Sequence, residues 1–139
     1  MKTIDCNYQV ANFNMRDAHR GDEDGYYKLS KAPLKLPAGE YTFSYDYPLS
    51  NTASFKHKLT ADMNAGQILK LARKDYERIY REEDKSTRVP VTVGKNGPLF
   101  NRDRSDGKYG IWGHCIEDLF FEGIKINEKK KSVAFYIGS

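Results

Sequence analysis

The segment GEYTFSYDYPLSNTASFKHKLT, residues 39–60, decides the fold that the sequence predicts. Aromatic side chains alternate with polar ones in its first half, and apolar side chains alternate with lysines in its second half. A period of two is typical of a strand with one buried face, and the intervening PLSNTA is typical of a turn. We therefore predict an antiparallel hairpin from about Glu40 to Thr60. The aromatic face of its first strand comprises Tyr41, Phe43, Tyr45 and Tyr47.

His57 is in phase with Phe55 and Leu59 in the second strand of this hairpin. This phase favours a hydrogen-bonded histidine on the inner face of the sheet. Catalysis or ligand contact by His57 stays open as the alternative.

A segment with helical periodicity follows the hairpin. Asn64 and Gln67 have the spacing of a capping box, and apolar residues then recur at intervals of three and four up to about Asp84. The pattern predicts an amphipathic helix of roughly five turns that begins at Ala65. Its apolar positions are Ile68, Leu69, Ala72, Tyr76, Ile79 and Tyr80.

The other face of this helix carries five basic residues that could contact phosphates. We expect a solvated face instead, because four acidic residues dilute the positive charge and can pair along the helix. The basic residues are Lys70, Arg73, Lys74, Arg78 and Arg81, and the acidic ones are Glu77, Glu82, Glu83 and Asp84.

Further strand patterns lie towards both ends of the chain. Apolar and polar residues alternate from Thr3 to Val10, and two apolar segments, Phe121–Ile126 and Ser132–Ile137, flank a charged turn. The 139 residues suffice for a core without disulfides or metal, so we expect a single domain over residues 1–139. The predicted fold class is α+β, a mainly antiparallel sheet with one long amphipathic helix packed on one face.

Composition narrows the classes of function. A formal charge of +4 and a pI near 9.0 favour anionic partners only slightly, and nucleic-acid binding is the weakest of the alternatives. Cys6 and Cys115 are far apart and no CxxC occurs, which indicates a reduced, cytoplasmic protein. The sequence has no run of 18 apolar residues, so it predicts no membrane partner. It contains no Walker loop, GxGxxG, GxSxG or HExxH, and we predict no cofactor.

The candidate site lies in the segment Leu99–Gly123, which holds the only Trp of the chain. Arg102 and Arg104 lie in a loop rich in Asn, Asp, Ser and Gly, where guanidinium groups and backbone N–H groups suit a phosphate or a carboxylate. The alternative is that both arginines form ion pairs with nearby acidic residues. The candidates are Asp103, Asp106 and Glu117.

Tyr109 and Trp112 follow in the block YGIWG, where glycines leave both rings open to a flat group such as a base. The alternative is that Trp112 anchors the core or a subunit interface.

His114 has the spacing of an acid–base pair with Glu117 or Asp118, because residues three and four apart face one another on a helical turn. The same spacing also fits an ordinary hydrogen bond at a helix terminus. These three residues lack a second cluster of ligands, so we predict no metal site.

The segment NRDRSDGKYGIWGHCIEDLFFEGI, residues 101–124, resembles the C-terminal segment of small uncharacterised bacterial and phage proteins. In those proteins a YGIWGH block precedes an acidic-aliphatic DL and a strand. The resemblance covers roughly residues 99–126 and carries no activity onto these positions. By analogy, the size and the Arg/aromatic loop are similar to phage anti-defence sponges, which bind cyclic-nucleotide or ADP-ribose-type immune signals without cleaving them.

We expect a non-enzymatic binding protein that forms a homo-oligomer and holds a small anionic ligand such as a nucleotide. One alternative is a small hydrolase or transferase that uses His114 with Glu117 or Asp118, and another is a structural or protein-interaction module. The expected ligand-binding residues are Arg102 and Arg104 for phosphate, Tyr109 and Trp112 for the planar part, and His114 and Asp118 for polar edges.

Overall fold

A computed structural model of the chain describes residues 2–11, 35–88 and 104–139. Within these ranges it contains one α-helix, α1 (Ala65–Ser86), and a short 3₁₀ helix, Ile116–Asp118. The strands are β1 (Lys2–Gln9), β2 (Lys35–Leu36), β3 (Gly39–Tyr45), β4 (Ala53–Leu59), β5 (Met63–Asn64), β6 (Phe120–Asn127) and β7 (Ser132–Gly138).

The main sheet has the strand order β1-β6-β7-β3-β4. Its neighbours are antiparallel except for β3 and β7, which run parallel, and β2 pairs separately with β5. The sequence prediction of a mixed α and β structure with a mainly antiparallel sheet is therefore confirmed. No helix of the described ranges is long and apolar enough to cross a membrane.

The predicted hairpin is confirmed as β3 and β4, in a register that places Tyr41 opposite His57 and Phe43 opposite Phe55. Tyr41, Phe43 and Tyr45 are buried, as the period of two predicts. The aromatic face ends earlier than expected, because the strand stops at Tyr45. Tyr47 lies in the following turn, before a cis peptide bond to Pro48, and 40% of its surface is exposed.

The capping box at the start of α1 is also confirmed. The Asn64 side chain accepts a hydrogen bond from the Gln67 N–H, and the Gln67 side chain accepts one from the Asn64 N–H, both at 2.9 Å. The helix ends at Ser86 rather than near Asp84. All its predicted apolar positions are buried, namely Ile68, Leu69, Ala72, Tyr76, Ile79 and Tyr80.

Aromatic rings connect α1 with the strands in one hydrophobic cluster. The Tyr76 ring on α1 lies edge-on to Tyr45, with centroids 4.9 Å apart, and 6.3 Å from Phe121. On its other side, Tyr45 stacks on Phe135 at 5.3 Å with parallel planes. Such pairs contribute stability beyond the area that they bury.

A buried carboxylate joins the helix to the hairpin. Asp75 on α1 is 5% exposed, and its Oδ2 accepts the Tyr45 hydroxyl at 2.5 Å and lies 2.7 Å from His57 Nε2. Burial, together with the charge and hydrogen bond of Asp75, raises the pKa of Tyr45, so this hydroxyl remains a donor. The favoured interpretation of His57, a hydrogen-bonded histidine on the inner face, is confirmed.

Replacing this carboxylate should cost far more stability than replacing an exposed one on the same helix. We expect Asp75→Ala to lower the free energy of unfolding by about 2–4 kcal/mol, since the Tyr45 hydroxyl and the His57 nitrogen lose their buried acceptor. Glu77→Ala, at an exposed position, should change it by less than about 0.5 kcal/mol. Urea unfolding followed by circular dichroism measures both, and equal losses would contradict the structural role of Asp75.

Candidate functional site

The candidate site is built from two loops that lie side by side. One is the β3–β4 turn, residues 46–52, and the other is the segment 104–115. Leu49 and Ile111 form an antiparallel bridge, and the Trp112 N–H donates to the Pro48 carbonyl at 2.8 Å. These backbone contacts place residues that are distant in sequence on one surface.

Glu83 of α1 anchors the segment 104–115 through hydrogen bonds to its backbone. Its carboxylate is fully buried and accepts the N–H groups of Gly107 at 2.7 Å, Tyr109 at 2.6 Å and Gly110 at 3.3 Å. Hydrogen bonds to an ionised carboxylate are among the stronger ones in proteins. The sequence predicts that Glu83 lies on the solvated face of the helix, and its burial corrects that prediction.

Gly107 is required where the loop meets the helix. A Cβ atom at this position would lie 2.4 Å from Ser86 Oγ and 2.7 Å from Glu83 Oε2. Gly110 has a positive φ of 66°, which side chains rarely permit. Gly107 therefore serves the fit of the loop against α1, whereas a Cβ atom at Gly110 would meet Ser50 of the β3–β4 turn, 3.0 Å from its Oγ.

Glu82 forms a second contact between α1 and the loop. It accepts the Tyr109 hydroxyl at 2.5 Å, pairs with Arg78 at 3.0 Å and lies 3.5 Å from the Lys108 ammonium. The hydrogen bond from Tyr109, followed by those from the cations, lowers the pKa of Glu82 to about 2. Burial and the bond to Glu82 raise the pKa of Tyr109 to about 12.

Tyr109 is buried by these contacts. Only 5% of its area is exposed, so its ring cannot stack on a ligand, and the expectation of two open rings is wrong for this residue.

Asp106, in the same loop, has partners at the end of α1. It accepts a hydrogen bond from the Thr87 hydroxyl at 2.7 Å and pairs with Arg88 at 3.2 Å, and these contacts lower its pKa to about 2. In the described part of the chain, Asp106 thus pairs with Arg88 and not with Arg104.

Two tyrosines one turn apart on α1 fix the backbone of both loops. The Tyr76 hydroxyl donates to the carbonyl of Tyr47 at 2.8 Å, and the Tyr80 hydroxyl donates to the carbonyl of His114 at 2.9 Å. Both rings are buried. The side chains of Tyr47 and His114 are therefore carried by an anchored backbone, with ring centroids 5.8 Å apart.

We define the aromatic surface of this region as the exposed Tyr47, Arg104 and Trp112 together with the partly buried His114. Trp112 is 48% exposed, and the Arg104 guanidinium lies 5.0 Å from its ring centroid. Arg104 forms no ion pair with any residue in the described ranges. Arg102, predicted to act beside it, lies outside the described residues, as does Asp103.

His114 and Asp118 approach each other without a direct hydrogen bond. His114 Nδ1 lies 3.7 Å from Asp118 Oδ2, while the same oxygen accepts the Cys115 N–H at 3.0 Å. Asp118 therefore caps the short 3₁₀ helix. Glu117 has an exposed side chain, and its backbone carbonyl accepts a hydrogen bond from the side-chain amide of Gln9. Among residues 2–11, 35–88 and 104–139, no group of three His, Cys, Asp or Glu could hold a metal ion.

Three residues contribute to the site without having been predicted from the sequence, namely Tyr47, Glu82 and Glu83. The acceptor role of the two glutamates depends on partners 24 to 27 residues away. The position of Tyr47 in a turn had one sequence signal, since it directly precedes Pro48.

Weakening the Glu83 contact should loosen the loop selectively. In Glu83→Gln, an amide N–H₂ replaces one acceptor oxygen opposite backbone donors, which we expect to cost about 1–3 kcal/mol. Amide hydrogen exchange at Gly107, Tyr109 and Gly110 should accelerate by about 5- to 150-fold, in line with that free energy. Unchanged exchange at these three amides, in a variant that keeps the α1 amides protected, would refute the contact.

Acid should weaken the attachment of the loop through Glu82. A carboxylate whose folded pKa is lowered stabilises the fold above its usual pKa of 4.5 and loses that contribution as the pH falls towards about 2. We therefore expect the urea midpoint of Glu82→Gln to fall less than that of the wild type between these pH values. Glu122→Gln, at an exposed position on β6, is the control, and it should follow the wild type.

No family model, no curated protein and no solved structure matches this chain. The resemblance to bacterial and phage proteins therefore stays a prediction.

Proposed function

We propose that this protein is a non-enzymatic binding protein for a small anionic ligand with a planar part, and that a nucleotide is its ligand. The observation that carries the proposal is the Arg104 guanidinium lying over the exposed ring of Trp112. A cation beside an open aromatic ring offers both kinds of contact that a nucleotide needs, one for phosphate and one for the base.

Arg104 suits the phosphate because no acidic side chain of the described residues pairs with it. Its contact with Trp112 is a cation–π interaction, which contributes only about 0.5–1 kcal/mol at an exposed site. A phosphate can bind the guanidinium bidentately while the guanidinium stays over the ring. We propose Arg102 as the second phosphate ligand, on the strength of its position two residues before Arg104.

Trp112 suits the planar part of the ligand. Half of the ring is open, whereas its backbone is held by the hydrogen bond to Pro48 and a bridge to Arg104. Stacking of a base on an aromatic side chain is worth about 1–3 kcal/mol. Three more side chains would form hydrogen bonds with the polar edges of the planar part. They are His114, Asp118, which lies 3.7 Å from it, and the exposed Tyr47. Tyr109 contributes by positioning the loop.

The structure beneath the proposed site is rigid. We propose that α1 covers one face of the five-stranded sheet, which its ring contacts with Tyr45 and Phe121 support. The tyrosine anchors of α1 then fix the loops before any ligand arrives, so little conformational entropy is lost on binding.

The biological setting that we propose follows from the sequence resemblance. A phage protein that sequesters a nucleotide immune signal in the host cytoplasm, as a homo-oligomer, needs affinity and no catalytic group. The alternative is catalysis by His114 with Glu117 or Asp118. The separation of 3.7 Å between His114 Nδ1 and Asp118 Oδ2 supports it, because a small movement would bring the two groups into hydrogen-bond contact. Trp112 and Tyr47 could also anchor a protein partner, which is the third possibility.

The test is isothermal titration of the purified protein with a panel of linear and cyclic nucleotides, followed by chromatography of the recovered ligand. We expect intact ligand to be recovered. For the best nucleotide, Trp112→Ala should weaken binding by about 5- to 100-fold, the equivalent of one lost stacking contact. Arg104→Gln should weaken it by about tenfold or more through the lost phosphate contact.

Matched controls separate the site from general effects. Tyr136→Ala removes an aromatic ring that is equally exposed, on β7, and Lys130→Gln removes a cation from the β6–β7 turn. Both should bind like the wild type. Wild-type affinity in Trp112→Ala and Arg104→Gln would overturn the proposed site. A converted nucleotide whose formation requires His114 would establish the enzyme, and binding of no nucleotide would leave the protein-interaction role.

A further inference from the structure

A row of cations follows the outer side of α1, away from the aromatic surface. At 3.6 residues per turn, its four members fall within about 60° of one another around the helix axis. They span about 22 Å along it, at a rise of 1.5 Å per residue. All four side chains are exposed. This basic stripe consists of Lys70, Lys74, Arg81 and Lys85.

The members of the basic stripe are not neutralised by ion pairs within the described residues. The two other cations of the helix are paired, Arg73 with Glu77 at 3.3 Å and Arg78 with Glu82 at 3.0 Å. Those pairs use the acidic groups that flank the basic stripe. As far as the described residues go, the charges of the basic stripe therefore remain available to an external partner.

Burial makes the outer side of α1 more positive than its sequence suggests. The helix has six basic and five acidic residues, but Asp75 and Glu83 are buried against the strands and the loop. Of the remaining acids, Glu77 and Glu82 are in the ion pairs already described, and Asp84 is half-buried beside the basic stripe. The sequence predicts that four acidic residues dilute the positive charge of this face. This is wrong for Glu83, because its carboxylate is buried.

The chemistry of the basic stripe suits phosphates and not bases. Single-strand binding proteins stack bases on aromatic rings, whereas the tyrosines of α1, Tyr76 and Tyr80, are buried on its other side. A straight row of cations instead complements a rigid row of phosphates. Duplex DNA presents one negative charge per about 1.7 Å of axis, so a helix of this length faces a dense anionic surface.

We propose that the basic stripe binds the phosphate backbone of double-stranded nucleic acid without sequence preference. The proposal is independent of the nucleotide site, because it uses no residue of the aromatic surface. Lysine and arginine side chains at four positions neutralise up to four phosphates. The affinity should then depend steeply on salt, with a slope of log K against log salt of about −3.6 for four contacts.

The experiment measures fluorescence anisotropy of a labelled duplex DNA of mixed sequence against salt concentration. Between about 50 and 200 mM salt, the wild type should lose about 150-fold in affinity at that slope. Lys70→Gln/Lys74→Gln should show a slope reduced by about 1.8 and lose only about 12-fold over the same range. Glutamine is a good helix former, and circular dichroism verifies that α1 persists.

The control variant, Lys129→Gln/Lys130→Gln, removes the same charge from the β6–β7 turn. It should keep the wild-type slope, and so should Trp112→Ala. Equal loss of slope in the control would show that net charge alone drives binding, which overturns the proposal. It is also overturned if duplex DNA does not bind, if single strands bind more tightly, or if only vesicles of anionic lipid bind.

Discussion

The meeting of the Glu83 carboxylate with three backbone N–H groups is the contact on which the rest of the candidate site depends. Burying a carboxylate is costly, and the fold tolerates it because Gly107, Tyr109 and Gly110 supply donors at 2.6 to 3.3 Å. The loop, in turn, has few other ways to satisfy these N–H groups against a helix. Each side therefore requires the other, and the position of Trp112 two residues later follows from the fit.

Asp75 fulfils the same role eight residues earlier, towards the hairpin. Together the two acids attach one helix to the strands and to the loop through directional bonds, where hydrophobic packing alone would allow sliding. Burying them has a second effect, because it removes two negative charges from the outer side of α1. The polar contacts that order the core thus also determine the charge that the helix presents to solvent.

Local patterns were sufficient for the elements and insufficient for the contacts between them. The hairpin, the helix with its capping box and the closing strands follow from periods of two and 3.6 and from adjacent residues such as Asn64 and Gln67. Glu83 was misplaced because an acid among acids near a helix end is usually solvated. Tyr109 was misplaced for a related reason, since its partner Glu82 lies 27 residues away.

Glu82 links the two surfaces on which the proposed functions rest. It binds the Tyr109 hydroxyl on the loop side and Arg78 on the helix side, so its charge is shared between the loop and the border of the basic stripe. Glu83, its neighbour, points wholly into the loop. A helix that uses adjacent residues in this way can hold the aromatic surface in place while its four exposed cations form no ion pair with another described residue. Binding at one surface then need not displace any contact that the other surface requires, because the aromatic surface and the basic stripe have no residue in common.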